Sequence, residues 1–479
     1  MLRTLLTHSV IYGATTMVTR GAALLLLLVL PHFMSPADYG ALAMIMAVSV
    51  LVLFVVPLEV LHGLARYFPA AKEDEKHGYA ASSWWFTLAA LTAFVIVGEV
   101  FAEPLNRLIL GDPAYLPVFR LALPLIAANG LFYLVQSQFR WEFRPWGFTA
   151  VSLVMAAGTM TLAVGLAVTM DDALRGAIIG QLIGYSAAVV LALALLRQSL
   201  LGPPDRNKLG QMLAFSLPLV PASVALFVSQ YASRLMLNGM SNLEDVGIFT
   251  FGSQIAAIAT LAVLGVQASL IPLVVAHHEE PGTPVVVARA FEGFTGLALC
   301  LCLLLGLFSA EAIAWFGDPA YAGAAPLVLV LAPALVMMGM YIFAPGFLIA
   351  KKTTWQLGVS LVGAAVCVIA NYVMIGWWGI MGAAFAALLA AAVLLILWFA
   401  LSQRLYPVPI RWSRVATGVA AAAAAGVASL YVDGPGTFAA IGIKLGLLLL
   451  AATVFVLVDL LPLGPAVRVL KGKLAGPRA

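Results

Sequence analysis

Apolar runs of about 20 residues, each long enough to cross a bilayer as a helix, recur from one end of this chain to the other. Short polar connections separate them. The pattern predicts about fourteen spanning helices. Their limits fall near 8–33, 39–67, 80–103, 117–139, 146–169, 175–197, 211–237, 246–276, 286–315, 323–349, 354–376, 379–402, 413–432 and 438–462. The longest connections, around 69–79, 198–210 and 403–412, leave no room for an inserted soluble domain. With 63% hydrophobic and 10% charged residues, the composition excludes a soluble globule of this length. The expected class is an all-α polytopic membrane protein. The first run is too long for a signal-peptide core and no small-residue cleavage site follows it, so it is expected to remain as a span.

The polar connections repeat. Gly111-Asp112-Pro113-Ala114-Tyr115 returns as Gly317-Asp318-Pro319-Ala320-Tyr321, Asp38-Tyr39-Gly40 as Asp245-Val246-Gly247, and Pro124 with Gly130 as Pro333 with Gly339. An offset near 205 residues, on the order of a six-span unit, marks one unit used twice. Six spans precede the polar stretch Gly202–Lys208, the next six complete the second copy, and the last two stand outside this symmetry. An even number per copy makes the copies parallel, related by a pseudo-twofold axis along the membrane normal. The expected organisation is a six-helix lobe over 1–200, a cytoplasmic linker over 201–210, a second six-helix lobe over 211–403, two extra helices over 404–463 and a basic tail over 464–479. Two like halves usually flank a central pathway, which is the first argument for a transporter.

Charge sets the orientation. Of the 25 Lys and Arg residues, all but Arg20, Arg107, Arg120, Arg175, Arg234 and Lys444 fall on one side. By the positive-inside rule that side is cytoplasmic, and both termini lie there. The net charge of +4 reflects this bias and implies no nucleic-acid partner. Cys300, Cys302 and Cys367 sit inside apolar runs and read as small buried hydrophobes rather than disulfide partners or metal ligands.

The recurring strings read locally as helix starts. Ser35 caps a helix that begins at Pro36, with Asp38 three residues after the cap; Ser241 and Glu244 form the matching box. Asp112-Pro113 and Asp318-Pro319 are caps followed by a first-turn proline. Pro57, Pro124, Pro218, Pro221, Pro272, Pro333 and Pro345 lie inside spans, where each bends its helix as a packing kink or as a hinge.

Several strings in this order carry a family resemblance: Ser35-Pro36-Ala37-Asp38-Tyr39-Gly40, Ala65-Arg66-Tyr67-Phe68, Phe139-Arg140-Trp141 up to Arg144, Asn371-Tyr372-Val373-Met374 and Gly379-Ile380-Met381-Gly382-Ala383-Ala384. The chain resembles, over nearly its whole length, the polysaccharide-transporter branch of the multidrug/oligosaccharidyl-lipid/polysaccharide exporter superfamily, the Wzx-type O-antigen and exopolysaccharide flippases. One departure is visible: Gly376-Trp377-Trp378-Gly379 stands where the family often has Pro before an aromatic-Gly pair. The resemblance implies a carrier in the bacterial inner membrane. Its cargo would be an oligosaccharide linked to a lipid, typically undecaprenyl diphosphate, and its lobes would open to either side in turn. It also implies coupling to a proton or Na+ and work alongside polysaccharide polymerase and assembly proteins. No cofactor is implied.

Against that background the charges inside spans become candidates. Arg20 lies near the middle of the first span, where a cation is expensive unless it faces a wet cavity or a partner. It is either a structural ion pair or carbonyl cap, or the fork that binds a diphosphate. Glu59, His62 and Arg66 share one helix face at spacings of three and four. They form either a polar ladder to the cytoplasmic surface or, through Glu59, a proton site or a partner of Arg20. Arg120 and Arg234 near outer ends either snorkel to the interface or draw the diphosphate outward. Gln254, with Gln136, Gln181, Gln230, Gln267 and Asn371, joins helices or holds sugar hydroxyls. Trp84-Trp85 and Trp377-Trp378 are expected in the aromatic belts at opposite interfaces.

The motifs for metal, nucleotide or nucleophilic chemistry are missing from the sequence, and an enzyme is not expected. Two rival readings belong to the same superfamily: a cation-coupled multidrug exporter, which should carry an acid where Arg20 stands, and a lipid II flippase.

Overall fold

A computed structural model describes residues 2–316, 318–350, 353–432 and 437–461. Gly317 of the repeated string, Lys351, Lys352 and the basic tail 464–479 lie outside the described residues. The rest is helix, turn and short connection, without a strand among the described residues. By internal contact the chain divides into two compact units, Met1–Thr250 and Phe251–Ala479.

The first unit is built from α1 (Leu2–Val29), α2 (Pro36–Val55), α3 (Val60–Tyr67), α4 (Glu73–Val100), α5 (Ala102–Ile109), α6 (Leu116–Trp141), α7 (Pro145–Thr169), α8 (Ala173–Leu200), α9 (Arg206–Ser216), α10 (Val220–Met240) and the first half of α11 (Leu243–Ala257). The helix starts follow the sequence. Ser35 accepts the Asp38 backbone N–H, with Pro36 in the first turn. Asp112 caps a short 3-10 turn through the Ala114 N–H. The cap of α11 differs from the expected Ser241–Glu244 box. Asn242 Oδ1 accepts the Asp245 N–H at 2.8 Å, and Ser241 donates its hydroxyl to the Asp245 carboxylate. An Asn adjoining the helix reaches the third-residue N–H better than a Ser one place further back.

Apolar burial does not drive helix association within lipid, so small residues and polar contacts do. Gly176, Gly180 and Gly184 place the α8 backbone directly on the backbone of α7 at Leu166, Leu162–Ala163 and Thr159. Asn129 donates to Ser49 Oγ at 2.9 Å between α6 and α2, and Gln136 to Ser152 Oγ at 2.8 Å between α6 and α7. Thr15 and Thr149 meet at 2.8 Å between α1 and α7. Within the polar stretch expected as a linker, Asp205 caps α9, which packs against α3 and α4. The Tyr79 hydroxyl donates to Gln211 at 2.7 Å, and Lys208 Nζ to the Glu75 carbonyl at 3.0 Å.

The second unit continues through α12 (Thr260–His277), α13 (Thr283–Leu307), α14 (Ser309–Phe316), α15 (Ala325–Gly339), α16 (Gly346–Ile349), α17 (Thr353–Leu405), α18 (Trp412–Ser429) and α19 (Phe438–Leu457). The repeated cap recurs, with Asp318 Oδ1 accepting the Ala320 N–H at 2.9 Å. The two runs expected at 354–376 and 379–402 form one long element that breaks at Gly379, whose φ of 55° belongs to the left-handed region that glycine enters freely. Among the described residues, eleven helices or helix groups are long and apolar enough to cross a membrane. Counting α11 with α12 as one span bent by 42° makes twelve, and α17 divides at Gly379 into two helices; α18, expected as a span, is not among those that pass. Cys300, Cys302 and Cys367 form no disulfide among the described residues.

One ion pair ties the last described helix to this unit. Lys444 Nζ of α19, only 7% exposed, sits 2.7 and 2.9 Å from the two Glu311 oxygens of α14. Removing one partner of a buried pair leaves the other charge uncompensated, at a cost of about 3–5 kcal/mol. Lys444→Met should therefore lower the thermal midpoint in detergent by several degrees. Lys444→Met combined with Glu311→Leu should recover most of the loss, and a double-mutant melting series measures it.

Candidate functional site

The span expected at 39–67 is not one helix. α2 ends at Val55, α3 starts at Val60, and the chain between them turns with Leu58 and Glu59 in the left-handed region at φ 50° and 54°. Pro57 explains the break, because it lacks the N–H that would continue α2. The Glu59 N–H reaches back to the Phe54 carbonyl at 3.1 Å, and the Val60 N–H to the Pro57 carbonyl at 3.0 Å. Two successive non-glycine residues in this region cost about 1–3 kcal/mol each, so the surroundings must hold them there. Two serines from after the polar stretch do so. Ser216 donates its hydroxyl to the Leu58 carbonyl at 2.9 Å, and Ser223 donates to Glu59 Oε1.

The break carries a carboxylate inward. Glu59 is 4% exposed, and its Oε2 lies 2.8 Å from Nδ1 of His62, which is 57% exposed. Arg66, one turn further on, is exposed and stacks on Phe215 of α9 at 5.0 Å. A buried acid thus communicates with an accessible imidazole, an arrangement that can pass a proton between protein and water. Of the readings open for Glu59, the pairing with Arg20 is not seen among the described residues, where His62 and Ser223 meet the carboxylate.

Arg20 stands on the α1 face shared with exposed Gly13 and Met17, turned away from the Thr15 contact with α7. Among the described residues it has neither an acid nor a carbonyl partner. Arg234 of α10 is half-buried, donates from Nε to Thr250 Oγ1 at 3.3 Å and lies over the Tyr231 ring at 5.6 Å, with no carboxylate beside it among the described residues. Arg120 is different: it faces Glu99 at 3.8 Å, both exposed, as a loose surface pair between α6 and α4. Gln254 is half-buried on α11 and forms no hydrogen bond among the described residues. Within the described residues no three His, Cys, Asp or Glu side chains converge as metal ligands.

Two aromatic expectations divide. Trp377 and Trp378 are exposed edge-to-face neighbours, as a belt requires. Trp84 is instead 3% exposed in the core of the first unit with Phe132, Phe139 and Phe148, and only Trp85 is exposed, donating to the Gly202 carbonyl at 3.1 Å. Adjacent helix positions point about 100° apart, and the rotation of α4 turns Trp84 into the core while Trp85 faces out. Sequence reasoning missed Ser216 and Ser223, since single serines in apolar helices carry no distinguishing signal.

Comparison with known proteins gives both a family and a fold. Residues 5–278 match the family described as Polysaccharide biosynthesis protein. No curated protein matches the chain in sequence. Among solved structures, the chain is similar to the lipid II flippase MurJ in its inward closed conformation. That match has a TM-score of 0.74 and 12% identity and covers 96% of this chain and 100% of the other. It is also similar to a MATE family multidrug resistance transporter of the MOP superfamily. The inward-facing form gives a TM-score of 0.66 at 13% identity, covering 83% and 97% of the two chains; the outward-facing form gives 0.55 at 13%, covering 82% and 92%. The chain is therefore a multi-pass membrane protein of the polysaccharide biosynthesis protein family, with the fold shared by MurJ and the MATE transporters.

Proposed function

We propose that this protein is a flippase that moves an oligosaccharide linked to a polyprenyl diphosphate from the cytoplasmic to the periplasmic leaflet of the bacterial inner membrane. The observation that carries the reading is Arg20: a guanidinium within an apolar helix, exposed and without an internal partner among the described residues. A bare cation at membrane depth needs an anion or water, and a planar guanidinium matches two phosphate oxygens at once. Membership of the polysaccharide biosynthesis family supports a glycan as the rest of the cargo. Arg234 supplies a second cation without a carboxylate. Gln254, half-buried and without a hydrogen bond among the described residues, is a donor that can meet sugar hydroxyls. Arg120, paired with Glu99 at the surface, has the weakest claim to the cargo.

Glu59 is the coupling residue in this reading. It takes up and releases a proton through His62 while the two sides of the pathway open alternately. Deleting the gene in its host and analysing lipid-linked glycans tests the proposal. Accumulation of a diphosphate-linked oligosaccharide on the cytoplasmic leaflet, cleared when the gene is restored, is the expected outcome. Unchanged glycans with retained cationic dyes would favour the multidrug reading, for which the buried Glu59 carboxylate is the supporting feature. Accumulation of lipid II alone would favour the peptidoglycan precursor.

A further inference from the structure

The repeat brings two glycines together. Ser35 and Asn242 cap α2 and α11, Pro36 and Leu243 follow, Asp38 and Asp245 come next, then Gly40 and Gly247. These corresponding turns lie against each other. A Cβ added to Gly40 would stand 1.9 Å from the Leu243 carbonyl oxygen, and one added to Gly247 would stand 1.8 Å from the Pro36 carbonyl oxygen. The backbone N–H of each glycine is 3.0 Å from the Cβ position of the other. The contact is reciprocal, with the first-turn carbonyl of each helix seated on the glycine of its counterpart, as on a twofold axis.

The three atoms nearest each added Cβ all belong to the backbone of the other helix. Such Cα–H···O contacts are individually weak, and at the two glycines no side chain of either residue has to move for the backbones to part. The crossing lies at the helix ends away from the basic connections. Polar groups surround it: the Tyr115 hydroxyl donates to Asp38 at 3.0 Å, and Ser241 donates to Asp245. A cavity of about 590 Å³ opens beside it, lined by Ala37, Tyr115, Asn238, Asn242 and Glu244 among others. A weak, symmetric contact bordered by a cavity with polar lining is what a gate requires.

We propose that Gly40 and Gly247 form a separable seam that closes the non-cytoplasmic end of the pathway in one state of the transport cycle, and that the missing side chains at both positions are what permit closure. The proposal rests on the transport reading above only for its purpose; its geometry is independent of the cargo. An alanine at either glycine must push the helices apart by about 1.5 Å to reach ordinary van der Waals contact, and it does so without removing any existing side-chain interaction.

The test uses the full-length protein carrying Ala37→Cys and Glu244→Cys, which flank the seam on opposite helices. Cross-linking by a short bifunctional maleimide is timed with and without Gly40→Ala or Gly247→Ala, and folding is followed by monodispersity and melting. The expected result is a well-folded protein whose cross-linking slows at least fivefold with either alanine, by similar amounts. Unchanged cross-linking in folded protein overturns the proposal. Failure of both variants to fold also overturns it, because the contact would then be a static part of the core. A shifted rate in a protein that moves no glycan leaves the seam standing and removes the cargo reading instead.

Discussion

Arg20→Ala should abolish glycan export while leaving the protein folded and inserted. The two halves of that expectation have separate grounds. Arg20 makes no hydrogen bond or ion pair with the described residues, so its removal breaks nothing internal. Its face of α1 is opposite the Thr15 contact with α7, and the helix keeps its packing. A diphosphate, by contrast, loses two charge-assisted hydrogen bonds worth about 1.5–3 kcal/mol each. Export should fall at least a hundredfold on that scale. Arg20→Lys separates charge from shape. A point charge without the planar fork should retain a minor fraction of activity, since lysine binds phosphate without bidentate geometry. Export at the normal rate by a folded Arg20→Ala protein would remove Arg20 from the cargo site.

The second large effect is expected at Glu59. Glu59→Gln keeps the size of the side chain and can still accept from Ser223, but it cannot carry a proton on and off. In proteoliposomes, a pH gradient should accelerate transport by the native protein at least tenfold and leave the Glu59→Gln protein unaffected. His62→Ala should slow the response without abolishing it, because His62 connects the acid to water rather than storing the proton. A gradient response that survives Glu59→Gln assigns coupling elsewhere. The strained backbone at Leu58 and Glu59 gives this site mechanical reach. Leu58 and Glu59 stand in the left-handed region, and Ser216 and Ser223 bond the Leu58 carbonyl and the Glu59 carboxylate there, so weakening those bonds should relax the turn. The serines belong to segments that follow the polar stretch, and the acid belongs to the second span. A change in the charge of Glu59 is therefore felt at the start of α10.

Much of this architecture was legible in the sequence because bilayers impose strong rules. Run length placed most of the spans. The cap of α2 followed from Ser35, Pro36 and Asp38, and the paired turns at Asp112 and Asp318 from their prolines. The cap of α11 did not. Asn242 and Ser241 are both good caps, and only the backbone geometry decides between them. Pro57 announced a break, but its form was hidden, since left-handed residues are normally announced by glycine or asparagine and here they are Leu and Glu. The meeting of Gly40 with Gly247 was equally out of reach. The repeat showed that the positions correspond, yet correspondence in sequence does not imply contact in space. Trp84 and Trp85 show the remaining limit. An aromatic pair beside a span reads as an interface belt until helix rotation sends one ring into the core.

The central claim is that a diphosphate-linked glycan crosses the membrane through this protein. The most direct measurement reconstitutes the purified protein into liposomes with a fluorescent polyprenyl-diphosphate oligosaccharide. The fraction of label in the outer leaflet is then read with a membrane-impermeant quencher over time, with a pH gradient imposed. The account predicts rapid redistribution between leaflets that requires the protein, that is lost in Arg20→Ala and that ceases to respond to the gradient in Glu59→Gln. Redistribution no faster than in empty liposomes, with the protein folded and inserted, would contradict it.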